Sequence, residues 1–156
     1  MLSGLLATQV KRRDDFKQLK SIKNMLYYDQ KWCKIYFYED IPCVHLDWNG
    51  FARPNEFQEA CDASLELLKE KKISKMIADN SKAKIVSVEN QEWLTQDWFA
   101  RAFDEGYRTS AVVVSTNIFN EVAVKNIVNQ MDKGKFTVQY FDNLNDAKVW
   151  LKDFKD

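Results

Sequence analysis

The chain has 156 residues, 46% hydrophobic and 13% aromatic with five Trp, enough apolar area for one large core and too little length for two ordinary domains. Its formal net charge is zero, but residues 1–24 hold Lys11, Arg12, Arg13, Lys17, Lys20 and Lys23 against Asp14 and Asp15, so a leader of +4 precedes a body of −4. An acidic body excludes wholesale nucleic-acid binding, which needs a basic face, and the apolar content excludes disorder over most of the length.

Residues 1–24 read as a basic N-terminal extension, partly helical, with Phe16, Leu19 and Ile22 at three-residue spacing. It suits a helix laid on its own body or on a second copy, or else a basic amphipathic anchor. Met25 is a candidate alternative start. The apolar run Met1 to Val10 precedes the basic cluster, the reverse of signal-peptide order, and no stretch approaches the roughly 20 apolar residues of a membrane span. The expectation is a cytoplasmic protein without a transmembrane segment.

From Met25 the chain predicts three strands, Met25 to Tyr28, Trp32 to Tyr38 and Cys43 to Trp48, whose short polar connections favour an antiparallel meander. Along the second, Ile35 and Phe37 face one way and Tyr36 and Tyr38 the other. No helix in the sequence is evidently assigned to the tyrosines, so the leader of the same or a neighbouring chain is expected to cover them. Pro54 opens an amphipathic helix through Lys71 that buries Phe57, Ala60, Cys61, Ser64, Leu65 and Leu68.

Three strand-then-helix units follow. Their strands are Met76 to Asp79, Ala111 to Val114 and Thr137 to Phe141; their helices run from a Ser87 cap to Glu105, from about Phe119 to Lys133, and from near Asn143. Gly106 and Gly134 are placed as left-handed helix caps and Gly50 as a turn residue. Residues 25–156 are thus expected to form a single α/β domain with a mixed sheet of five to six strands and about four helices.

Function in open sheets lies beyond the carboxyl ends of parallel strands. Here those ends read Asp79-Asn80-Ser81-Lys82, Ser115-Thr116-Asn117 and Asp142-Asn143-Leu144, with no Gly-rich phosphate loop, metal cluster or triad. Cys43, His45 and Asp47 alternate on one strand face, but residues two apart lie roughly 7 Å apart, beyond a direct hydrogen bond, so His45 reads as a partly exposed strand histidine. Asp79 and Glu89 bracket a strand-to-helix loop and are close enough in sequence to face each other. Asp62, Glu66 and Glu70 form a solvated helix face. Cys33, Cys43 and Cys61 show no Cys-x-x-Cys spacing and read as buried free thiols. No catalytic residue, cofactor or metal ligand is assigned, and stability is expected without metal, nucleotide or disulfide.

The strand meander, the Trp48-Asn49-Gly50 turn, Met76-Ile77-Ala78-Asp79 entering a loop before Ser87, Val112-Val113-Val114, and a closing Phe141 to Ala147 followed by Trp150-Leu151 resemble the STAS superfamily, the anti-sigma-factor-antagonist fold, and its bacterial STAS-like subgroup. The resemblance covers about residues 25 to 154. Regulatory STAS proteins carry a phosphorylatable serine in an Asp-Ser-Ser-Gly type stretch; the matching stretch here is Val86-Ser87-Val88-Glu89-Asn90, and the family's serine falls near Val88, so the partner switch is not carried over as written. The related CRAL-TRIO lipid-binding fold implies an apolar ligand held between helix and sheet, with Trp93, Trp98, Phe99 and Phe103 as its wall.

The resemblance implies a non-enzymatic regulatory or protein-interaction module with a protein partner or self-association. Asp79, Ser81, Ser87, Trp93 and Trp98 form the candidate partner or ligand surface. The alternative is binding of a small apolar ligand or lipid in a helix–sheet pocket. A cavity beneath the Trp93 to Phe103 helix favours the second, whereas a polar convergence around His45 or Cys61 favours an enzyme.

Overall fold

Six strands follow one another across the sheet in the order in which they occur in the chain. The structure, a computed structural model, describes residues 24–155. The expectations placed on the N-terminal extension, including its covering of the tyrosines, therefore lie outside the described residues. Strands β1 (Asn24–Asp29), β2 (Cys33–Tyr38) and β3 (Cys43–Gly50) form the antiparallel meander, while β4 (Lys75–Ala83), β5 (Thr109–Val113) and β6 (Thr137–Phe141) continue from β3 in parallel. The fold is a single α/β domain with a six-stranded mixed sheet and four helices.

Helix α1 (Pro54–Lys71) joins β3 to β4 and starts at the proline, whose fixed φ suits a first turn. Helix α2 joins β4 to β5 and is continuous through Val88–Trp93, Leu94–Trp98 and Phe99–Asp104, the middle stretch being a π-helical turn. Helix α3 (Ile118–Asn129) leads to β6, and α4 (Leu144–Asp153) closes the chain. Right-handed crossovers between successive neighbouring strands place their helices on one side of a sheet. Accordingly α1, α2 and α3 share a core with Val44, Leu46, Trp48 and Met76. The opposite face receives α4, whose Ala147 and Leu151 pack with Cys43, Ile77, Ala111 and Val113. Between these layers β5 is buried at every position, as a parallel strand covered on both sides requires.

Several local expectations are corrected. Gly50 and Gly106 have positive φ, but Gly134 does not; its N–H donates to Asp132 Oδ1 at 2.8 Å, so an aspartate side chain closes that turn. The left-handed cap of α1 is Lys72, with φ 54°. Tyr38 is buried beneath α4, with Lys148 Nζ 4.2 Å from its ring centroid, while Tyr36 remains half-buried. The closing helix therefore does for Tyr38 what the leader was expected to do.

Ser87 caps α2 as its position implied, its Oγ accepting from Asn90 N at 3.1 Å. Replacing Ser87 by Ala is expected to cost about 1 kcal/mol, while Ser87→Asp, which also caps, leaves the unfolding midpoint nearly unchanged. Urea titration of the two variants checks this; equal losses would remove the cap as the reason for the serine.

Candidate functional site

The parallel register of β3 and β4 sets Asp47 opposite Asp79 and His45 opposite Ile77, and this makes a polar site on the α4 side of the sheet. Alternation along β3 sends Cys43, His45 and Asp47 to one face, as the sequence implied. Their partners come from other strands. His45 Nε2 lies 3.0 Å from Asp79 Oδ2, and His45 Nδ1 lies 2.7 Å from Tyr38 Oη. Ser81 donates to Asp79 Oδ1 twice, from Oγ at 2.6 Å and from its backbone N at 3.1 Å. Lys82 Nζ meets Asp47 Oδ2 at 3.0 Å, and the rings of Tyr36 and Tyr38 stack on the imidazole with centroids 5.7 and 5.6 Å away.

His45 is 3% exposed, which corrects the expectation of a partly exposed histidine. The reason is lateral: β2 supplies the two tyrosine rings and β4 supplies the carboxylate. Burial pushes the Asp79 carboxyl up, but hydrogen bonds from His45 and Ser81 outweigh it, and the net shift is downward. The ionised carboxylate accepts from Nε2–H, so Tyr38 Oη donates to Nδ1 and a neutral imidazole satisfies both contacts. Glu89 takes no part in this network; it stands in the first turn of α2.

The arrangement has the base and orienting carboxylate of a nucleophilic triad, with Tyr38 where the nucleophile would stand. Burial raises the Tyr38 hydroxyl further above its ordinary value, and at 6% exposure it meets no solvent-borne substrate. Geometry therefore makes Tyr38 a holder of the imidazole rather than an attacking group. The thiols are equally unreactive. Burial pushes Cys33 and Cys61 up and Cys43 up to about 12, so all three are protonated at neutral pH.

The five residues read as one surface are divided by the sheet. Asp79 and Ser81 belong to the His45 network. Ser87, Trp93 and Trp98 belong to α2 on the other side, where Trp93 is half-buried under the Arg101 guanidinium, 5.7 Å from its ring centroid. Trp98 is buried and lines a cavity of about 90 Å³ between the sheet and α1, α2 and α3. The lining is mainly apolar, with Leu46, Phe57, Met76, Leu94, Val112 and Ile127 among its residues. Trp98 Nε1 meets no hydrogen-bond partner among the described residues. The π-helical turn carrying Leu94 and Trp98 sits at this cavity, and such turns are frequent at functional sites.

A third feature runs along the carboxyl ends of the parallel strands. Phe51 follows β3, Ile85 and Val88 follow β4, and Ile118, Phe119 and Val122 follow β5, with exposures from 46% to 73%. The segments are held side by side: Lys84 N donates to Gly50 O at 2.8 Å, Ser115 Oγ to Ala83 O at 3.1 Å, and Val86 N to Asn120 Oδ1 at 3.1 Å. The exposed residues of this edge escaped the sequence reading, although a signal was present. Helix α3 carries apolar residues both on its buried face, Ala123, Val124 and Ile127, and on its opposite face, which a solvated helix does not need.

Comparison with family models, curated proteins and solved structures found no match to this chain. Among the described residues no helix is long and apolar enough to cross a membrane.

Proposed function

We propose that this chain is a regulatory protein-interaction module whose partner docks on the apolar edge formed by Phe51, Ile85, Val88, Ile118, Phe119 and Val122. The carrying observation is that six large apolar side chains from three separate connections stand exposed along one edge. Scattered apolar residues on a surface need no explanation, but a cluster held by inter-segment hydrogen bonds marks an interaction site. The same edge adjoins Ser87, one of the residues of the expected partner or ligand surface, and includes Val88, near which the STAS-like resemblance puts the family's serine. The docking element is apolar where it meets these six side chains, with the exposed Lys84 and Glu89 standing beside them.

A second reading rests on the cavity. An apolar space of about 90 Å³ with an unpartnered indole N–H on a lining residue suits a small apolar ligand bearing one hydrogen-bond acceptor.

One experiment addresses both. The wild type and a Phe119→Ser/Val122→Ser double variant are compared by quantitative capture from native extract, by sedimentation at graded concentrations, and by melting with and without a small aromatic ketone as probe. The docking reading expects the variant to lose a captured protein, or its own self-association, about tenfold or more at an unchanged melting temperature. Identical capture profiles and identical sedimentation would overturn it. A rise in melting temperature with the ketone, equal in both proteins, would support the cavity reading, and no rise would count against it.

A further inference from the structure

The side chains around His45 are each held by one end in a network of hydrogen bonds and an ion pair. His45 is held through Nδ1 by Tyr38 Oη, Asp79 through Oδ1 by the Ser81 hydroxyl and backbone N–H, and Asp47 through Oδ2 by the Lys82 ammonium. Of the remaining atoms, His45 Nε2 and Asp79 Oδ2 are bonded to each other at 3.0 Å, and Asp47 Oδ1 has no partner among the described residues. One ligand atom from each of these three residues lies within 4.8 Å of the others. Asp47 Oδ1 is fully buried and has no hydrogen-bond partner among the described residues, and leaving a buried carboxylate oxygen without a donor costs on the order of 1–3 kcal/mol or more. The His45 and Asp79 side chains are 3% and 6% exposed.

We propose that His45, Asp47 and Asp79 form a binding site for one divalent transition-metal ion, with Zn²⁺ the best fit.

Three arguments select that class of ligand. One imidazole nitrogen with two carboxylate oxygens is a mixed donor set that suits Zn²⁺ and disfavours Mg²⁺ and Ca²⁺, which prefer oxygen throughout. Two donors each roughly 2.1 Å from a tetrahedral ion stand a little over 3 Å apart, close to the 3.0 Å between Nε2 and Oδ2, so loading needs only a small separation of that pair. The charge also agrees: two carboxylates face one ammonium, and a cation takes up the remaining negative charge while giving Asp47 Oδ1 its missing partner. On loading, the ring proton moves from Nε2 to Nδ1 and Tyr38 Oη accepts it, the second-layer hydrogen bond by which metal-bound histidines are oriented, while the phenol gives up its own donation to the ring, a loss the metal bonds must offset. Ser81 holds the Asp79 carboxylate in the same way. Lys82, 57% exposed along its side chain, can swing outward from Asp47 into solvent when the ion binds. Three protein donors leave a fourth position for water.

The test uses the full chain, first stripped with chelator. Zn²⁺ is titrated by calorimetry and by thermal shift into the wild type, Asp47→Asn and Lys82→Met, and Co²⁺ is followed by its visible spectrum. The wild type should bind one Zn²⁺ and melt at higher temperature with it, and its Co²⁺ form should lack the charge-transfer band that thiolate ligands give. Asp47→Asn, whose site is partly open to solvent, should melt near the wild type in chelator yet bind at least ~10-fold more weakly. Lys82→Met should bind more tightly, because the competing ammonium is gone. Absence of a zinc-dependent shift in the wild type, equal affinity in Asp47→Asn, or a thiolate band with Co²⁺ would each overturn the assignment. None of these outcomes depends on whether a protein docks at the apolar edge, so the two readings stand or fall separately.

Discussion

Replacing His45 by Ala is expected to destabilise the fold by about 3–5 kcal/mol, the range for removing one partner from a buried ionised group. The imidazole donates to Asp79 at 3.0 Å and takes the Tyr38 hydroxyl at 2.7 Å. Its loss leaves a carboxylate with Ser81 alone and a buried phenol with nothing to donate to. Against a typical stability of 5–15 kcal/mol this is a large fraction. The pH dependence should change as well. In the wild type the folded Asp79 carboxyl lies below its ordinary value of 3.8, so its contribution is present above that value and is lost as pH falls through the lower, folded one. Without His45 the largest downward influence on Asp79 disappears and burial pushes its carboxyl up. The acid limb of the stability curve should then begin at higher pH in the variant. Urea unfolding from neutral to acid pH, in chelator so that no metal intervenes, measures both effects. A loss under about 1 kcal/mol, which is ordinary for any substitution, together with coincident acid limbs, would show that the network contributes little to folding.

Truncating Leu151 to Ala should cost about 2–5 kcal/mol, whereas Val149→Ala, two residues away, should stay within about 0.5 kcal/mol. Leu151 is fully buried among Ile77, Ala111 and Val113, and Val149 is 62% exposed. Helix α4 also carries a clamp: Lys75 Nζ reaches the carbonyl oxygens of Leu151 and Phe154 at 2.6 and 2.5 Å, placing a cation on the negative end of the helix. Removing the leucine therefore loosens the element that shields Tyr38. Denaturant midpoints for the pair decide the matter, and similar values for the two variants would mean that α4 is not seated by this face.

Pro54 and Lys71 bound a helix in the sequence as they do in the structure, because a proline at a first turn and a 3.6-residue apolar period are local signals. The six strands were likewise legible from alternation and turn residues. Strand β4 runs on to Ala83, past the expected end at Asp79, because its pairing with β3 slips between Asp47 and Asn49 and then resumes with Lys82 and Ala83; such an irregularity depends on two strands at once and has no signature in either. The same reason explains His45. Its face follows from period two, but its carboxylate partner is set by which residue of a strand 34 positions later lies across from it. The π-helical turn in α2 is also illegible, since Leu94, Trp98 and Ala102 read as one apolar row at ordinary helical spacing and nothing in Leu94 to Trp98 marks the wider turn. Gly134 misled because glycine after a helix usually takes a left-handed conformation, whereas Asp132 supplies the closing hydrogen bond by side chain.

Among the described residues each strand pairs only with those immediately before and after it in the chain, so none of the six is inserted between two that have already joined. The meander needs only short loops to close, and each parallel addition needs one crossover helix. Every step thus has a modest loop-closure entropy, and sequence separations between paired strands stay short for a parallel sheet. During synthesis, β1 to β3 can assemble as soon as they emerge, β4, β5 and β6 can add in turn, and α4 locks the second face last. Removing the final helix would leave every strand pairing in place but expose the Ile77 and Val113 face, so truncation at the carboxyl end should give a compact, sticky species rather than an unfolded chain.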